Sequence, residues 1–231
     1  MTETVVLSNA LGTTSELWDR QLPALEPRFR VLRYEHRARP TVEALARDVL
    51  GLLDAEGVTR AHFCGVSLGG AVGMWLGANA SDRIDRLVLA CTSARFPDPE
   101  KYRERADLVR AEGTSSLVDA TLDRWFTPAF DERARFAARL AAAPREEYAA
   151  CCEAVAAWDF GERLGEIAAP TLVVGGREDP TVPPEEAERL ADAIPGARVV
   201  ILDRARHLAN VERAEEFNEA VLAHLESEEG G

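Results

Sequence analysis

Short apolar runs rich in β-branched residues alternate along the chain with longer segments in which apolar residues recur at helical spacing. Six runs have the length and composition of buried strands: residues 4–8, 30–34, 61–66, 86–92, 171–175 and 198–202. Between the second and third run, an apolar helical face follows Thr41, a residue type that caps helix N-termini, and a last helical pattern spans residues 217–225. This alternation predicts an α/β fold: a mostly parallel central sheet of about six strands with helices on both faces.

The alternation breaks once, between the fourth and fifth predicted strands. Residues 97–163 contain no strand pattern, only helical stretches interrupted by proline and glycine. We therefore predict an all-helical lid insertion at 97–163, called the cap segment below, within a core formed by residues 1–96 and 164–231. An insertion that leaves from the end of a strand lies over the carboxyl edge of the sheet, where open α/β sheets bind their ligands.

Charge and composition narrow the classes of partner. The chain of 231 residues carries 27 Lys and Arg against 40 Asp and Glu, a formal net charge of −13. Such a surface repels phosphate backbones and anionic lipid headgroups, which excludes nucleic acid and membrane partners and favours a small-molecule substrate. No apolar run approaches the ~20 residues of a membrane span, and the first residues lack a signal-peptide pattern, so we expect a cytoplasmic protein.

The four cysteines predict no disulfide framework and no metal site. Cys64, Cys91, Cys151 and Cys152 are irregularly spaced and form no CxxC pair. Cys64 and Cys91 lie in apolar runs, where a thiol acts as a small buried hydrophobe.

A glycine-flanked serine follows the third predicted strand. Residues 65–70 read GVSLGG and lead from that strand into a helical stretch beginning near Ala71. This is the G-x-S-x-G pattern of a nucleophile elbow, in the strand-turn-helix setting that the motif requires. The sequence therefore predicts Ser67 as a nucleophile.

A serine hydroxyl needs a base and an acid that orients the base, and after such an elbow they come in the order Ser, acid, His. The loop after the fifth strand contains Glu178 and Asp179, and the loop after the sixth contains Asp203 and His207. Of the four histidines, His207 alone fits this order. Asp179 is favoured because Pro180 stiffens its turn, while Glu178 and Asp203 remain alternatives.

Acyl transfer also needs hydrogen-bond donors for the oxyanion that develops on the carbonyl oxygen. The N–H of Leu68 starts the helix after the nucleophile, where the helix dipole assists. The loop after the first strand supplies a second candidate, the N–H of Leu11.

These residues resemble the α/β-hydrolase superfamily and, within it, the 3-oxoadipate enol-lactonases of aromatic-compound catabolism. The stretches that carry the resemblance are LSNALGT at 7–13, FRVLRY at 29–34, AHFCGVSLGG at 61–70, RWFTP at 124–128 and HLANVE at 207–212. The resemblance implies an α/β-hydrolase fold in which the two leading strands are missing, and in which the loop after residue 34 is shortened. It also implies that Arg124 and Trp125 bind substrate, and it places Arg206 where relatives have a small residue.

The resulting hypothesis is a serine hydrolase that opens the enol-lactone of 3-oxoadipate without cofactor or metal. A broad carboxylesterase or perhydrolase with the same triad is an alternative, because the shortened loop after residue 34 widens the pocket. The other alternative is a non-catalytic ligand-binding protein on the same scaffold.

Overall fold

The computed structural model describes residues 2–227 and contains one six-stranded sheet in which every neighbouring pair of strands is parallel. The strands are β1 (Thr4–Ser8), β2 (Arg30–Tyr34), β3 (Ala61–Val66), β4 (Ile84–Ala90), β5 (Thr171–Gly176) and β6 (Arg198–Leu202), in the order β2-β1-β3-β4-β5-β6. The fold class predicted from the sequence is confirmed.

The fourth strand differs from its predicted bounds of 86–92. It begins at Ile84, two residues earlier than predicted. The prediction missed these residues because the charged Asp85 and Arg86 follow Ile84 in the sequence, although they belong to the strand. It ends before Cys91, whose positive φ of 44° turns the chain out of the sheet.

Helices cover both faces of the sheet. Their bounds are α1 (Leu22–Leu25), α2 (Val42–Ala55), α3 (Leu68–Asn79), α4 (Pro99–Glu112), α5 (Val118–Trp125), α6 (Arg133–Ala141), α7 (Arg145–Ala156), α8 (Pro184–Ala193), α9 (Ala209–Glu212) and α10 (Ala214–Leu225), with 3-10 turns at Ser15–Trp18, Ser81–Arg83, Ser115–Leu117 and Gly161–Glu166. Thr41 caps α2 as predicted, its hydroxyl accepting the Ala44 N–H at 3.2 Å. Helix α3 begins at Leu68, three residues earlier than predicted, because the elbow passes directly into it.

The two faces bury separate apolar cores. Val6 and Phe63 point towards α2, α3 and α8, whereas Val5, Leu7 and Cys64 point towards α1 and α10. This alternation follows from the two-residue period of a strand, and burial on both faces explains the nearly continuous apolar runs in the sequence. Within the described residues no helix is both long and apolar enough to cross a membrane.

The cap segment is helical. Between β4 and β5 the chain forms α4 to α7, and residues 97–163, all of them described, contain no strand. Helix α4 packs on α7, and α5 packs on α6. The division of the chain into a core and a cap domain stays a prediction.

A buried histidine predicts acid-sensitive stability. His224 on α10 is 2% exposed, and its Nδ1 lies 3.3 Å from an Arg198 guanidinium nitrogen. Burial, with the charges of Arg198 and Arg86, lowers the pKa of His224 to about 4. Because the unfolded chain takes up this proton near pH 6.5 and the folded chain does not, the free energy of unfolding falls as the pH drops from 7 towards 4.

We expect His224→Gln to lose about 2 kcal/mol less stability than wild type between pH 7.5 and pH 5. Urea unfolding of both proteins at the two pH values measures the difference. An identical loss in the two proteins would contradict the assignment.

Candidate active site

The elbow between β3 and α3 can accommodate only glycine two positions before and two positions after the serine. A Cβ on Gly65 would lie 2.2 Å from the Gly69 carbonyl oxygen, and one on Gly69 would lie 2.3 Å from the Ser8 carbonyl oxygen. Strand β3, strand β1 and helix α3 therefore approach each other closely enough to form a sharp turn that projects Ser67 from the sheet edge.

Two hydrogen bonds to its backbone groups hold Ser67 in a strained conformation. Its φ of 56° and ψ of −114° are unfavourable for a residue with a side chain. The Ser67 N–H donates to the Ala90 carbonyl at 2.8 Å, and the Thr92 hydroxyl donates to the Ser67 carbonyl at 2.7 Å. The neighbouring strand thus stabilises a geometry that the local chain alone would not keep.

The structure brings Ser67, His207 and Asp179 into one hydrogen-bonded chain. His207 Nε2 lies 2.9 Å from Ser67 Oγ, and His207 Nδ1 lies 2.8 Å from Asp179 Oδ2. All three residues are buried: His207 is 4% exposed, Ser67 is 7% exposed and Asp179 is 3% exposed. The other carboxylate oxygen, Oδ1, accepts the N–H groups of Thr181 at 2.8 Å and Val182 at 3.0 Å.

These partners define the direction of proton transfer. An ionised carboxylate only accepts hydrogen bonds, so Nδ1 carries the imidazole hydrogen and Nε2 is free to accept the hydroxyl proton of Ser67. The arrangement can therefore deprotonate Ser67 as it attacks a carbonyl carbon and stabilise the imidazolium that results. The alternatives Glu178 and Asp203 are exposed, and Asp203 pairs with Arg177 at 3.1 Å.

The two oxyanion candidates flank the nucleophile. Leu68 is the first residue of α3, and Leu11 lines the same cavity as Ser67 and His207. Neither N–H donates to a protein acceptor among residues 2–227. Asn9 fixes the loop that carries Leu11, because its side-chain oxygen accepts the Trp18 indole N–H at 3.1 Å and its carbonyl accepts the Gly69 N–H at 3.0 Å.

The loop that carries His207 is bonded to the cap segment. The backbone N–H groups of His207 and Leu208 donate to the carbonyls of Arg124 and Trp125 at 3.4 and 3.1 Å. Glu212 bonds to both the His207 loop and the cap segment. Its carboxylate accepts the Arg206 N–H at 2.7 Å, and it also accepts the N–H and the hydroxyl of Thr127 in the cap segment at 2.8 and 2.7 Å.

Arg206 does not contact the triad through its side chain. Its guanidinium donates to the cap carbonyls of Asp123 and Phe126. Arg206, which stands where the family that this sequence resembles has a small residue, therefore bonds the cap segment to the loop that carries His207.

Trp125 and Arg124 lie in the wall of the cavity at Ser67, and a second arginine, Arg105 on α4, lies there too. Arg124 donates to the Thr121 hydroxyl at 2.9 Å, and Arg105 stacks over the ring of Tyr102 at 5.1 Å. Among residues 2–227 neither guanidinium forms an ion pair with a carboxylate. Burial and the charge of Arg105 lower the pKa of Arg124, so this part of the cavity is electrostatically suited to an anion.

Sequence reasoning missed Arg105, although the sequence contains a signal for it. The charge-rich sequence of α4 is typical of a solvent-exposed helix, and Arg103 on it pairs with Glu100 at 2.8 Å. Arg105, by contrast, has no acidic residue three or four positions away on either side. An arginine without an intrahelical partner on a charged helix is a candidate for a function elsewhere.

One cluster outside this cavity has metal-ligating side chains. Glu3, His62 and Asp85 meet near the amino ends of β1, β3 and β4, with the His62 ring nitrogens 3.6 Å from a Glu3 oxygen and 3.7 Å from an Asp85 oxygen. The cluster lies at the sheet edge opposite Ser67 and has no part in the site described above.

Comparisons with known proteins agree on one family. A family model described as "Alpha/beta hydrolase family" matches residues 5–220. The 3-oxoadipate enol-lactonase 2 of Acinetobacter baylyi is 33% identical over 95% of this chain and 87% of its own length. The crystal structure of the enol-lactonase from Burkholderia xenovorans LB400 superposes with a TM-score of 0.95 at 40% identity, covering 98% of this chain and 92% of the other. A thermophilic esterase from Thermogutta terrifontis has a TM-score of 0.89 at 29% identity, over 97% and 90% of the two chains.

Proposed function

The chain belongs to the alpha/beta hydrolase family, and we propose that within it the chain hydrolyses the enol-lactone of 3-oxoadipate with Ser67 as nucleophile. The observation that carries the choice of substrate is the pair Arg105 and Arg124 in the wall of the cavity at Ser67. The enol-lactone of 3-oxoadipate has a free carboxylate outside its ring. The relative from Acinetobacter baylyi is named a 3-oxoadipate enol-lactonase, and the structural neighbour from Burkholderia xenovorans is named an enol-lactonase.

In the first half of the reaction Ser67 Oγ attacks the lactone carbonyl while His207 Nε2 takes its proton. The oxyanion faces the N–H groups of Leu11 and Leu68, and Asp179 stabilises the imidazolium. When the tetrahedral intermediate collapses, the ring C–O bond breaks and the enol oxygen leaves with the proton from His207. The product of this step is an open-chain acyl-enzyme, because a lactone keeps its leaving group attached.

In the second half a water molecule, deprotonated by His207, attacks the acyl carbon and releases Ser67. The product is a dicarboxylate in its enol form, which becomes the 3-oxo acid when the proton moves to carbon. Neither step requires a cofactor or a metal.

The two arginines bind the substrate carboxylate in this proposal. Because the chain has a net charge of −13, its long-range field repels the substrate, so recognition has to occur at short range. Two guanidinium groups without carboxylate partners repel each other in a partly buried wall, and an anion between them relieves that repulsion. Arginine is suited to this role because its planar fork grips a carboxylate in two places.

We expect Arg124→Ala and Arg105→Ala each to raise the KM for the enol-lactone by about 10- to 100-fold more than the KM for p-nitrophenyl acetate, a neutral ester. This corresponds to the ~1.5 to 3 kcal/mol of a charged hydrogen bond. Steady-state kinetics on both substrates measures the difference.

Arg103→Ala is the matched control for these variants. Arg103 is exposed on α4, the helix that also carries Arg105. It pairs with Glu100 and does not line the cavity at Ser67. Equal losses on the charged and neutral substrates would assign Arg105 and Arg124 to packing of the cap and would contradict carboxylate binding.

A further inference from the structure

The cluster of Glu3, His62 and Asp85 lies apart from the site at Ser67, and the proposed reaction does not use it. Strand β3 begins beside this cluster and ends at the elbow, so the two groups of residues occupy opposite edges of the sheet. We call the three residues the strand-base cluster. They include no cysteine, so the cysteine spacing, which predicts no metal site, does not bear on them.

His62 is a buried imidazole whose two nitrogens are unsatisfied. Its side chain is 2% exposed, and among residues 2–227 neither Nδ1 nor Nε2 has a hydrogen-bond partner. Phe29 holds the ring in place through an edge-to-face contact, with the ring centroids 5.5 Å apart. Burying a polar atom without a partner opposes folding, so a ligand that bonds to either nitrogen would remove a penalty.

Each nitrogen of His62 has a carboxylate of the cluster beside it. Nε2 lies 3.6 Å from Glu3 Oε2, and Nδ1 lies 3.7 Å from Asp85 Oδ2, both distances being longer than a hydrogen bond. One ligand atom from each of the three residues lies within 4.8 Å of the other two. Atoms bonded to one zinc ion at about 2.1 Å stand about 3.4 Å apart in a tetrahedron, so movements of roughly 1 to 1.5 Å would bring the set to bonding distance. The side chain of Glu3 is 65% exposed and that of Asp85 is 30% exposed, which leaves room for such movements.

The backbone brings the three residues together. Glu3 precedes β1, and its carbonyl accepts the Arg30 N–H at 2.8 Å, which fixes this end of the chain to β2. The register between β3 and β4 shifts beside His62, where the paired positions enclose one residue on β3 and two on β4, Asp85 among them. An irregularity of this kind redirects side chains, so the sheet itself positions a carboxylate next to the ring.

The charges around the cluster keep it ready for a cation. Arg60 lies 3.3 Å from Asp85 Oδ1, so the other oxygen, Oδ2, remains available to the cluster. A partner of this kind behind a ligand is typical of metal sites. Burial lowers the pKa of His62, the carboxylates of Asp85 and Glu3 raise it and the charge of Arg86 lowers it, with burial the largest effect. The imidazole is therefore neutral near pH 7, which is the state in which its nitrogen binds a metal ion.

We propose that the strand-base cluster binds one divalent transition-metal ion, with Zn²⁺ as the best fit, through Glu3, His62 and Asp85. One imidazole nitrogen and two carboxylates suit such an ion, whereas Mg²⁺ and Ca²⁺ take oxygen ligands. The bound ion joins the amino ends of β1, β3 and β4. Because it lies at the opposite edge of the sheet from Ser67, it stabilises the fold and takes no part in hydrolysis.

Calorimetric titration of the EDTA-treated and dialysed protein with Zn²⁺ tests this site. Glu3→Gln should raise the Kd at least about tenfold, because even residues behind a metal ligand contribute about 10- to 100-fold. His62→Gln should abolish binding at the cluster. Glu3 is exposed, so Glu3→Gln keeps the test decisive even where replacement of the buried His62 impairs folding. Glu43→Gln is the matched control, because Glu43 is an exposed glutamate on α2 that pairs with Arg47 at 2.7 Å, and its Kd should equal that of wild type.

Thermal unfolding provides a readout besides binding. At a free Zn²⁺ concentration of about 100 times the Kd, the Tm of wild type and Glu43→Gln should rise by roughly 5 to 10 °C, and that of His62→Gln should not rise. The kcat/KM for p-nitrophenyl acetate should be the same in EDTA and in Zn²⁺. Absence of Zn²⁺ binding in wild type, or an equal Kd in wild type, Glu3→Gln and Glu43→Gln, would overturn the site. Activity that is lost in EDTA and restored by Zn²⁺ would overturn its structural role.

Discussion

Replacing Ser67 by alanine should lower turnover of every lactone and ester substrate by about 10⁴-fold or more. The reason is that Ser67 Oγ is the group that His207 Nε2 reaches at 2.9 Å, and members of a triad act as a unit. Steady-state kinetics gives the loss, and intact-mass measurement after a serine-reactive phosphonate should give a single adduct in wild type and none in Ser67→Ala.

A matched control for this variant is Ser115→Ala, which changes an exposed serine in the cap segment. Its kinetics and its phosphonate adduct should be those of wild type. Labelling that persists in Ser67→Ala would place the nucleophile elsewhere and refute the assignment of the elbow.

Asp179→Asn should lower kcat by about 10³- to 10⁴-fold with little change in KM. The amide would present a donor or a weaker acceptor to His207 Nδ1, so the imidazole would no longer be held in the tautomer that leaves Nε2 able to accept a proton. Two backbone N–H groups already fix the other oxygen, so the variant should keep the fold of the turn. Thermal unfolding alongside the kinetics separates loss of the base from loss of structure.

The acids that the sequence left open provide the comparison. Asp203→Asn and Glu178→Gln change exposed carboxylates, one of them in a surface pair with Arg177, and each should retain nearly full turnover. A large loss in either variant, with Asp179→Asn active, would move the orienting role to that residue.

The sequence predicted the sheet because buried parallel strands follow a local rule, and it predicted a sharp turn at Ser67 because the G-x-S-x-G pattern is local; the catalytic roles of Ser67, Asp179 and His207 stay predictions. Parallel strands buried on both faces give apolar runs in the sequence. The G-x-S-x-G pattern is also local in sequence, although the contact that requires Gly69 is with the Ser8 carbonyl oxygen of β1. The start of β4 was not predicted, because the charged Asp85 and Arg86 lie inside the strand near its first residue.

Features that depend on distant contacts were less accessible to the sequence. Arg105 becomes part of the cavity at Ser67 because α4 packs on α7 within the cap segment. The sequence favoured Asp179 over Asp203 on the stiff turn at Pro180, and the distance of 2.8 Å from Asp179 Oδ2 to His207 Nδ1 is the tertiary contact that the sequence alone could not give. Residue spacing constrains neighbours along the chain, whereas these contacts join elements far apart in sequence.

Glu212 limits which cap segments can replace the one in this protein. Its carboxylate accepts from Thr127 of the cap segment and from the backbone N–H of Arg206 next to His207, so displacement of the cap segment would break bonds of the same carboxylate that supports the His207 loop. A chimaera that receives the cap segment of a relative would keep this link to Glu212 only with a hydrogen-bond donor at position 127.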